Sequence, residues 1–203
     1  MPRGSGESRD PVCDFLRSAF CLCQQCRRPK REELISDYLA KVSPQWKASV
    51  GSGTVVPWPV GIGAQGNEGV ANTVQQTSNS VGYVELAYAL QHQLGFGAVR
   101  NPAGRFVQAD LVSVSAAGLD AAATLGSDSQ VSITNAPRKG AYPIATFTWW
   151  VVPRDLNGDK RTALQELLQW MLSFGQRECS ALAYTPLPRE VVSRQLQLLD
   201  QSK

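Results

Sequence analysis

The chain has 203 residues, 43% hydrophobic and 18% charged, a balance that supports a packed core and excludes wholesale disorder. Twenty Lys and Arg against seventeen Asp and Glu leave a net charge of +3, too small for an electrostatic nucleic-acid binder. No apolar run reaches the ~20 residues that span a bilayer. A single histidine, His92, excludes any mechanism that needs a histidine pair.

Residues 1–33 show neither helical nor strand periodicity and end in the charge run Arg27 to Glu33. They are expected to be an unstructured, Cys- and Arg-rich segment unrelated to the rest. Their apolar stretch, Phe15 to Cys23, is broken by Arg17 and Ser18, so no export signal is legible. Charge rather than an apolar stretch follows Arg27-Arg28, which therefore is not a twin-arginine signal. Cys13, Cys21, Cys23 and Cys26 could offer four thiolates to zinc, but the spacing lacks paired Cys-x2-Cys knuckles. Incidental cysteines fit better, and neither a metal nor a cofactor is expected. Cys179 stands alone with no histidine to activate it as a nucleophile.

From residue 34 the pattern is α/β. Leu34, Tyr38, Leu39 and Val42 form the apolar stripe of a helix over Leu34 to Lys47, with Pro44 limiting its tail. Residues 51–65, rich in Gly and Pro, predict an ordered loop anchored by Trp58. Asn67 is placed to cap a helix running to about Gln76, with Glu68 at its positive end. Ser80 to Leu86 predicts a strand and the residues up to His92 a helix, with His92 on its surface and without a partner. Phe96–Arg100 and Arg105–Gln108 flank an Asn-Pro-Ala-Gly turn and predict a hairpin. A helix is expected over Leu111 to Ala123 and a strand over Val131 to Thr134. Ile144 to Val152, dense in Thr, Phe, Trp and Val, is the strongest strand signal in the chain. Leu164, Leu167, Leu168, Met171 and Leu172 mark an amphipathic helix over residues 159–175. Tyr184 to Pro188 is a connector, and Val192, Leu196 and Leu199 mark a closing helix.

Several of these segments carry a resemblance. Asp37-Tyr38-Leu39-Ala40-Lys41-Val42-Ser43-Pro44-Gln45-Trp46-Lys47, Trp58-Pro59-Val60-Gly61-Ile62-Gly63, Gly66-Asn67-Glu68-Gly69-Val70 and Gly82-Tyr83-Val84-Glu85-Leu86-Ala87-Tyr88-Ala89 resemble the phosphate-specific periplasmic substrate-binding protein of the phosphate ABC transporter. Ala141-Tyr142-Pro143-Ile144, Thr148-Trp149 and Tyr184-Thr185-Pro186-Leu187-Pro188 extend it in the same order to the C-terminus. The resemblance implies part of a two-lobe, type II-like periplasmic binding protein, of which this chain is the C-terminal portion. Residues 34–88 would be the latter part of the second lobe with a crossover strand, and residues 89–203 would complete the first. It further implies capture of inorganic phosphate, delivery to a membrane permease, a periplasmic location and no covalent chemistry. No nucleic-acid partner and no membrane span are expected.

The family's phosphate loop, of the form Arg-x-Asp-Gly-Ser-Gly-Thr, precedes the tyrosine of the first helix. The corresponding stretch here, Gln25 to Arg31, reads Gln-Cys-Arg-Arg-Pro-Lys-Arg and offers no serine, threonine, glycine or aspartate. No ligand residue is therefore carried over, and the chain is expected to be truncated and binding-deficient, as a frameshifted or mis-started frame would leave it. A non-binding remnant or interaction module is the alternative expectation. Two weak anion-site candidates remain. Ser52, Gly53 and Thr54 follow Gly51 as small residues able to form a nest of N–H groups, although a tight turn explains them better. Gly66 and Asn67 open a helix, although Glu68 already occupies that positive end. Asp155, Asn157, Asp159 and Glu166 imitate a calcium loop, but its glycine position is Lys160; an Asn157-Gly158 turn with Asp159 capping the next helix explains them better. Tyr83, Glu85 and Tyr88 are expected to pack and hydrogen-bond at a hinge.

Overall fold

The structure is a computed structural model that describes residues 21–26, 29–121, 131–153 and 155–201. The chain divides into two compact units, one up to Gly95 and one from Phe96 onward.

The first unit is built on a three-stranded parallel sheet. β1 (Cys21–Cys26) lies between β2 (Ile62–Gln65) and β3 (Ser80–Gly82). Cys23 pairs with Ile62 and Cys26 with Gln65 on one side, while Cys21 pairs with Ser80 and Cys23 with Gly82 on the other. This corrects the expected extent of the unstructured segment. Cys21–Cys26 is the central strand, and the first helix, α1 (Pro29–Val42), begins with proline at a position where a missing N–H costs nothing. The expectation for residues 1–20 lies outside the described residues.

The single helix expected over Leu34 to Lys47 is two helices. Ser43 takes extended backbone (φ −129°, ψ 107°), as a residue before proline must, and α2 (Pro44–Ser49) starts afresh behind it. The buried Ser43 hydroxyl accepts from the Trp46 N–H at 3.0 Å and so caps the new helix. Trp46 is the largest fully buried side chain of this unit, and its Nε1 donates to the Gly51 carbonyl at 2.8 Å. Its ring meets Trp58 edge-on at 5.2 Å, and Trp58 stacks on Tyr83 at 5.7 Å. Trp58 thus anchors the Gly/Pro-rich loop as expected. The loop ends earlier than predicted, because Ile62–Gln65 is drawn into the ladder with β1; a Gly-containing tetrapeptide carries no strand period of its own. Gly51 turns the chain at φ +79°.

α3 (Gly66–Gln76) buries Val70 and Ala71 completely. β3 is shorter than the strand expected over Ser80 to Leu86. Its pairing stops at Gly82, and by Glu85 (φ −64°, ψ 145°) the chain is entering α4 (Leu86–Gln91).

The second unit opens with the predicted hairpin, β4 (Val99–Arg100) against antiparallel β5 (Phe106–Val107). Asn101, 4% exposed, holds the turn. Its Oδ1 accepts from the Arg105 N–H, and its Nδ2 donates to the carbonyls of Arg138, Lys139 and Ala141. Asp110 and Ser113 then cap α5 (Leu111–Gly118) reciprocally: the Ser113 N–H donates to Asp110 Oδ1 at 2.7 Å and the Asp110 N–H to Ser113 Oγ at 3.0 Å. The helix expected up to Ala123 is described only this far; Ala122 and Ala123 lie outside the described residues.

The core of this unit is small-residue packing: Ala117, Ala121, Ile133, Ala136, Ala141 and Ala145, with Val114, Val131 and Phe147 against them. A Cβ on Gly118 would stand 3.4 Å from the Phe147 ring and 3.5 Å from Pro188, so the helix packs closely at this glycine.

Neither strand expected in this region forms a ladder among the described residues. Val131–Thr134 ends in a turn at Asn135 (φ +57°), tied down by one bond from the Asn135 N–H to the Pro143 carbonyl at 2.7 Å. Ile144–Val152 has no ladder among the described residues. Strand propensity describes a side chain's fit to a pleated surface and cannot supply the neighbouring backbone.

α6 (Gly158–Leu172) is capped by Asn157, whose side chain accepts from the Lys160 N–H at 3.2 Å. Asp159, expected as the cap, lies in the first turn instead. Leu164, Leu168, Met171 and Leu172 are half-buried, while Leu167 is exposed. Two short 3-10 turns, Phe174–Arg177 and Ser180–Leu182, lead to the connector and to α7 (Arg189–Gln201), which buries Val191.

The Asp110 cap is testable by pH. Hydrogen bonding to the Ser113 N–H holds this carboxyl below the usual carboxylate range, so the charged form stabilises the fold above that range and the contribution is lost as pH falls through the lowered value. Asp110→Ala is expected to cost about 1 kcal/mol at neutral pH, and urea denaturation near pH 3 should show a smaller difference.

Candidate functional site

All three strands of the first sheet are parallel, so their carboxyl ends share one edge, where open α/β sheets receive ligands. Two helices begin at that edge. α1 follows β1, and α3 follows β2 directly at Gly66; the last residues of those strands, Cys26 and Gln65, are paired across the ladder. The positive ends of α1 and α3 therefore start from adjacent points on one edge, a favourable place for an anion. The stretch Gln25 to Arg31, where the resemblance places a phosphate loop, takes in the last residues of β1 and the first of α1, with Arg27 and Arg28 outside the described residues.

The residues around this edge are committed to one another. Asn67 is not the helix cap expected of it. Gln65 holds the cap position without a side-chain bond, and Gly66 opens the helix at φ +69°. Asn67, 3% exposed, lies in the first turn. Its Nδ2 donates to Glu85 Oε2 and its Oδ1 accepts from the Glu85 N–H, both at 3.2 Å. Because Asn67 follows β2 and Glu85 follows β3, this reciprocal pair ties the two outer strands together past the end of β1. Glu68 sits in the same first turn, where the helix dipole favours it. It accepts from Asn72 Nδ2 at 3.2 Å and lies 3.0 Å from His92 Nε2.

His92 thus has a partner, which corrects the expectation of a lone surface histidine. Its side chain is 15% accessible, and its carbonyl accepts from Gln75 Nε2 at 2.9 Å. The sequence offered no signal for this contact, since Glu68 and His92 belong to different elements. Tyr83 stacks on Trp58, and burial pushes the Tyr38 phenol above its ordinary value.

Ser52, Gly53 and Thr54 do not form an open nest. The Gly53 N–H donates to Ser36 Oγ at 3.1 Å, and that fully buried hydroxyl lies 3.1 Å from the Gly53 carbonyl. The loop is pinned to α1 through its backbone, while the Ser52 and Thr54 side chains are exposed. Asp155, Asn157, Asp159 and Glu166 are all exposed, with Asn157 Oδ1 taken by the helix cap. Among the described residues no cluster of His, Cys, Asp and Glu is arranged to hold a metal ion.

A family model described as a PBP superfamily domain matches residues 20–174. The chain belongs to the PBP superfamily, with the periplasmic binding protein fold. The family's match begins at the residue before β1, in agreement with the role of that strand in the sheet. Among its relatives is the phosphate-binding protein PstS of Xylella fastidiosa strain Temecula1, 42% identical over 160 residues, covering 78% of this chain and 44% of the relative. The phosphate-binding protein PstS of Pasteurella multocida strain Pm70 is 36% identical, covering 78% of this chain and 46% of the relative. That of Methanocaldococcus jannaschii is 32% identical over 175 residues, with 78% and 45% covered. The chain spans less than half the length of these curated relatives.

Removing the Asn67 side chain would leave the Glu85 N–H and carboxylate without these contacts. Asn67→Ala is expected to lower the unfolding free energy by about 1–3 kcal/mol. Ser52→Ala and Thr54→Ala, at exposed positions, should stay within about 0.5 kcal/mol of the parent. Urea titrations of the three variants check this; an unaffected Asn67→Ala would contradict a bracing role for the pair.

Proposed function

We propose that this chain is part of the substrate-binding component of a phosphate ABC transporter, capturing inorganic phosphate in the periplasm for delivery to a membrane permease. One observation carries the reading: several curated phosphate-binding proteins align with 78% of the chain at 32% to 44% identity. Binding and lobe closure, rather than covalent chemistry, is the task this implies. Among the described residues no helix is long and apolar enough to cross a membrane, which accords with a receptor that works beside a permease. Residues 34–88 would belong to the second lobe and residues 89–203 to the first.

We infer further that the chain by itself does not hold phosphate. A dehydrated oxyanion needs many convergent donors, and selectivity against sulfate needs a carboxylate that accepts the phosphate proton. Gln25 to Arg31 supplies no hydroxyl and no aspartate. Gly53 and Asn67 are engaged in bracing contacts, and Glu68 would repel an anion at the start of α3. Of the candidates, Ser52, Thr54 and Gly66 remain as the surface an anion would have to use. The alternative, an interaction module with no ligand of its own, draws its support from Ile144–Val152, which has no ladder among the described residues.

Two measurements test this. Equilibrium dialysis of the purified chain against radiolabelled phosphate should show no saturable binding tighter than about 1 mM. A chimera in which residues 34–203 replace the matching segment of the Xylella relative should bind phosphate and resist displacement by excess sulfate. A folded chimera that binds no phosphate would contradict the phosphate reading, and saturable binding by the chain alone would contradict the deficiency.

A further inference from the structure

The chain has one Asn-Gly pair, Asn157-Gly158, and the capture of an anion makes no use of it. Gly158 is the first residue of α6, so its N–H is one of the donors that a helix start leaves without an intrahelical acceptor. Among the described residues no hydrogen bond engages that N–H. A Cβ built on Gly158 would meet nothing within 4 Å, so the nitrogen stands in open space with no side chain beside it. Asn157 is exposed. Its Oδ1 accepts from the Lys160 N–H at 3.2 Å, and no hydrogen bond holds its Nδ2 among the described residues. Residues 157–163 are all exposed, so no buried side chain holds this turn, and such turns open far more often than a fold unfolds. The other asparagines lack this combination. Asn101 precedes Pro102, which has no N–H, and Asn67 is buried and bonded twice to Glu85. Asn72, Asn79 and Asn135 precede Thr73, Ser80 and Ala136, each of which carries a Cβ beside its nitrogen.

We propose that Asn157 is the chain's site of spontaneous deamidation, gated by opening of the first turn of α6. The Gly158 nitrogen, having given its proton to solvent base, bonds to Asn157 Cγ. The carboxamide nitrogen takes up a proton and leaves as ammonia, and the product is a cyclic succinimide. Water then breaks one of the two C–N bonds of the ring. Cleavage at Cγ leaves aspartate, and cleavage at the main-chain carbonyl carbon leaves isoaspartate, with the backbone rerouted through Cγ. No electrons are transferred, and water is the only co-reactant. The cap is the brake. To close the ring, Asn157 must leave its extended backbone (φ −65°, ψ 161°) and give up the bond from the Lys160 N–H. The two products differ in consequence. Aspartate caps a helix as well as asparagine does and places its charge where the helix dipole favours it. Isoaspartate lengthens the backbone and displaces the carbonyl that now accepts from the Arg161 N–H at 2.9 Å, so that bond is lost. Either product lowers the net charge of +3 by one. The proposal does not depend on what the chain binds.

The test is ageing of the full chain in mildly alkaline buffer, with samples drawn over time and mapped as peptides by mass spectrometry. Position 157 should convert to a mixture of aspartate and isoaspartate, and faster than any other asparagine. The same position should convert several-fold faster when the chain is unfolded in urea, because the cap is then gone. Gly158→Ala fits the open space and favours the helix, so the variant should fold and convert several-fold more slowly than the parent. Any of four results would overturn the proposal. One is another asparagine converting as fast as Asn157. A second is a folded chain still intact at position 157 long after the unfolded one has converted fully. Equal rates in the folded and unfolded chains would remove the gate, and an unchanged rate in Gly158→Ala would remove the role of the bare nitrogen.

Discussion

β2 and β3 never touch each other; each is held in the sheet by its backbone bonds to β1. With four residues paired on one side of β1 and three on the other, neither outer strand could persist alone in water. The helices α1, α2 and α3 in turn pack where they do because the strands before and after them are fixed. The buried Trp46, the Ser43 cap and the Trp46–Trp58–Tyr83 stack hold the loop that leads back to β2.

The same sheet fixes the chemistry available at its carboxyl edge. Two helix N-termini start from paired positions there, a geometry that favours negative charge, and the chain spends that favour on its own Glu68. Asn67 and Glu85 then cross the end of β1 and join the outer strands. An edge braced in this way has its polar side chains committed to one another.

Much of the local structure was legible in the sequence because its causes are local. Apolar periodicity located α1 and α6, residue types suited to a helix start located α3, the Asn-Pro-Ala-Gly turn located the hairpin, and the Ser43-Pro44 break shows its mechanism once seen. What escaped was decided by partners distant in the chain. Cys21–Cys26 has no strand period to read, since an inner parallel strand is defined by its neighbours on both sides. Asn67 resembled a cap because caps are recognised by residue type at a boundary, whereas its amide reaches across the sheet to Glu85. The Glu68–His92 contact joins elements 24 positions apart. Ile144–Val152 shows the converse: its composition and its alternating burial both describe a strand, yet no ladder engages it among the described residues.

The dependence of the first unit on β1 can be measured directly. Leu22→Pro removes a backbone donor from the one strand that pairs on both sides. If β1 organises the sheet, amides of Ile62–Gln65, Val70–Gln76 and Ser80–Gly82 should lose most of their protection from hydrogen exchange in this variant. The hairpin and α5 of the second unit should keep theirs. Unchanged protection throughout the first unit would mean that Cys21–Cys26 is dispensable and that something other than this ladder holds β2 and β3 in place.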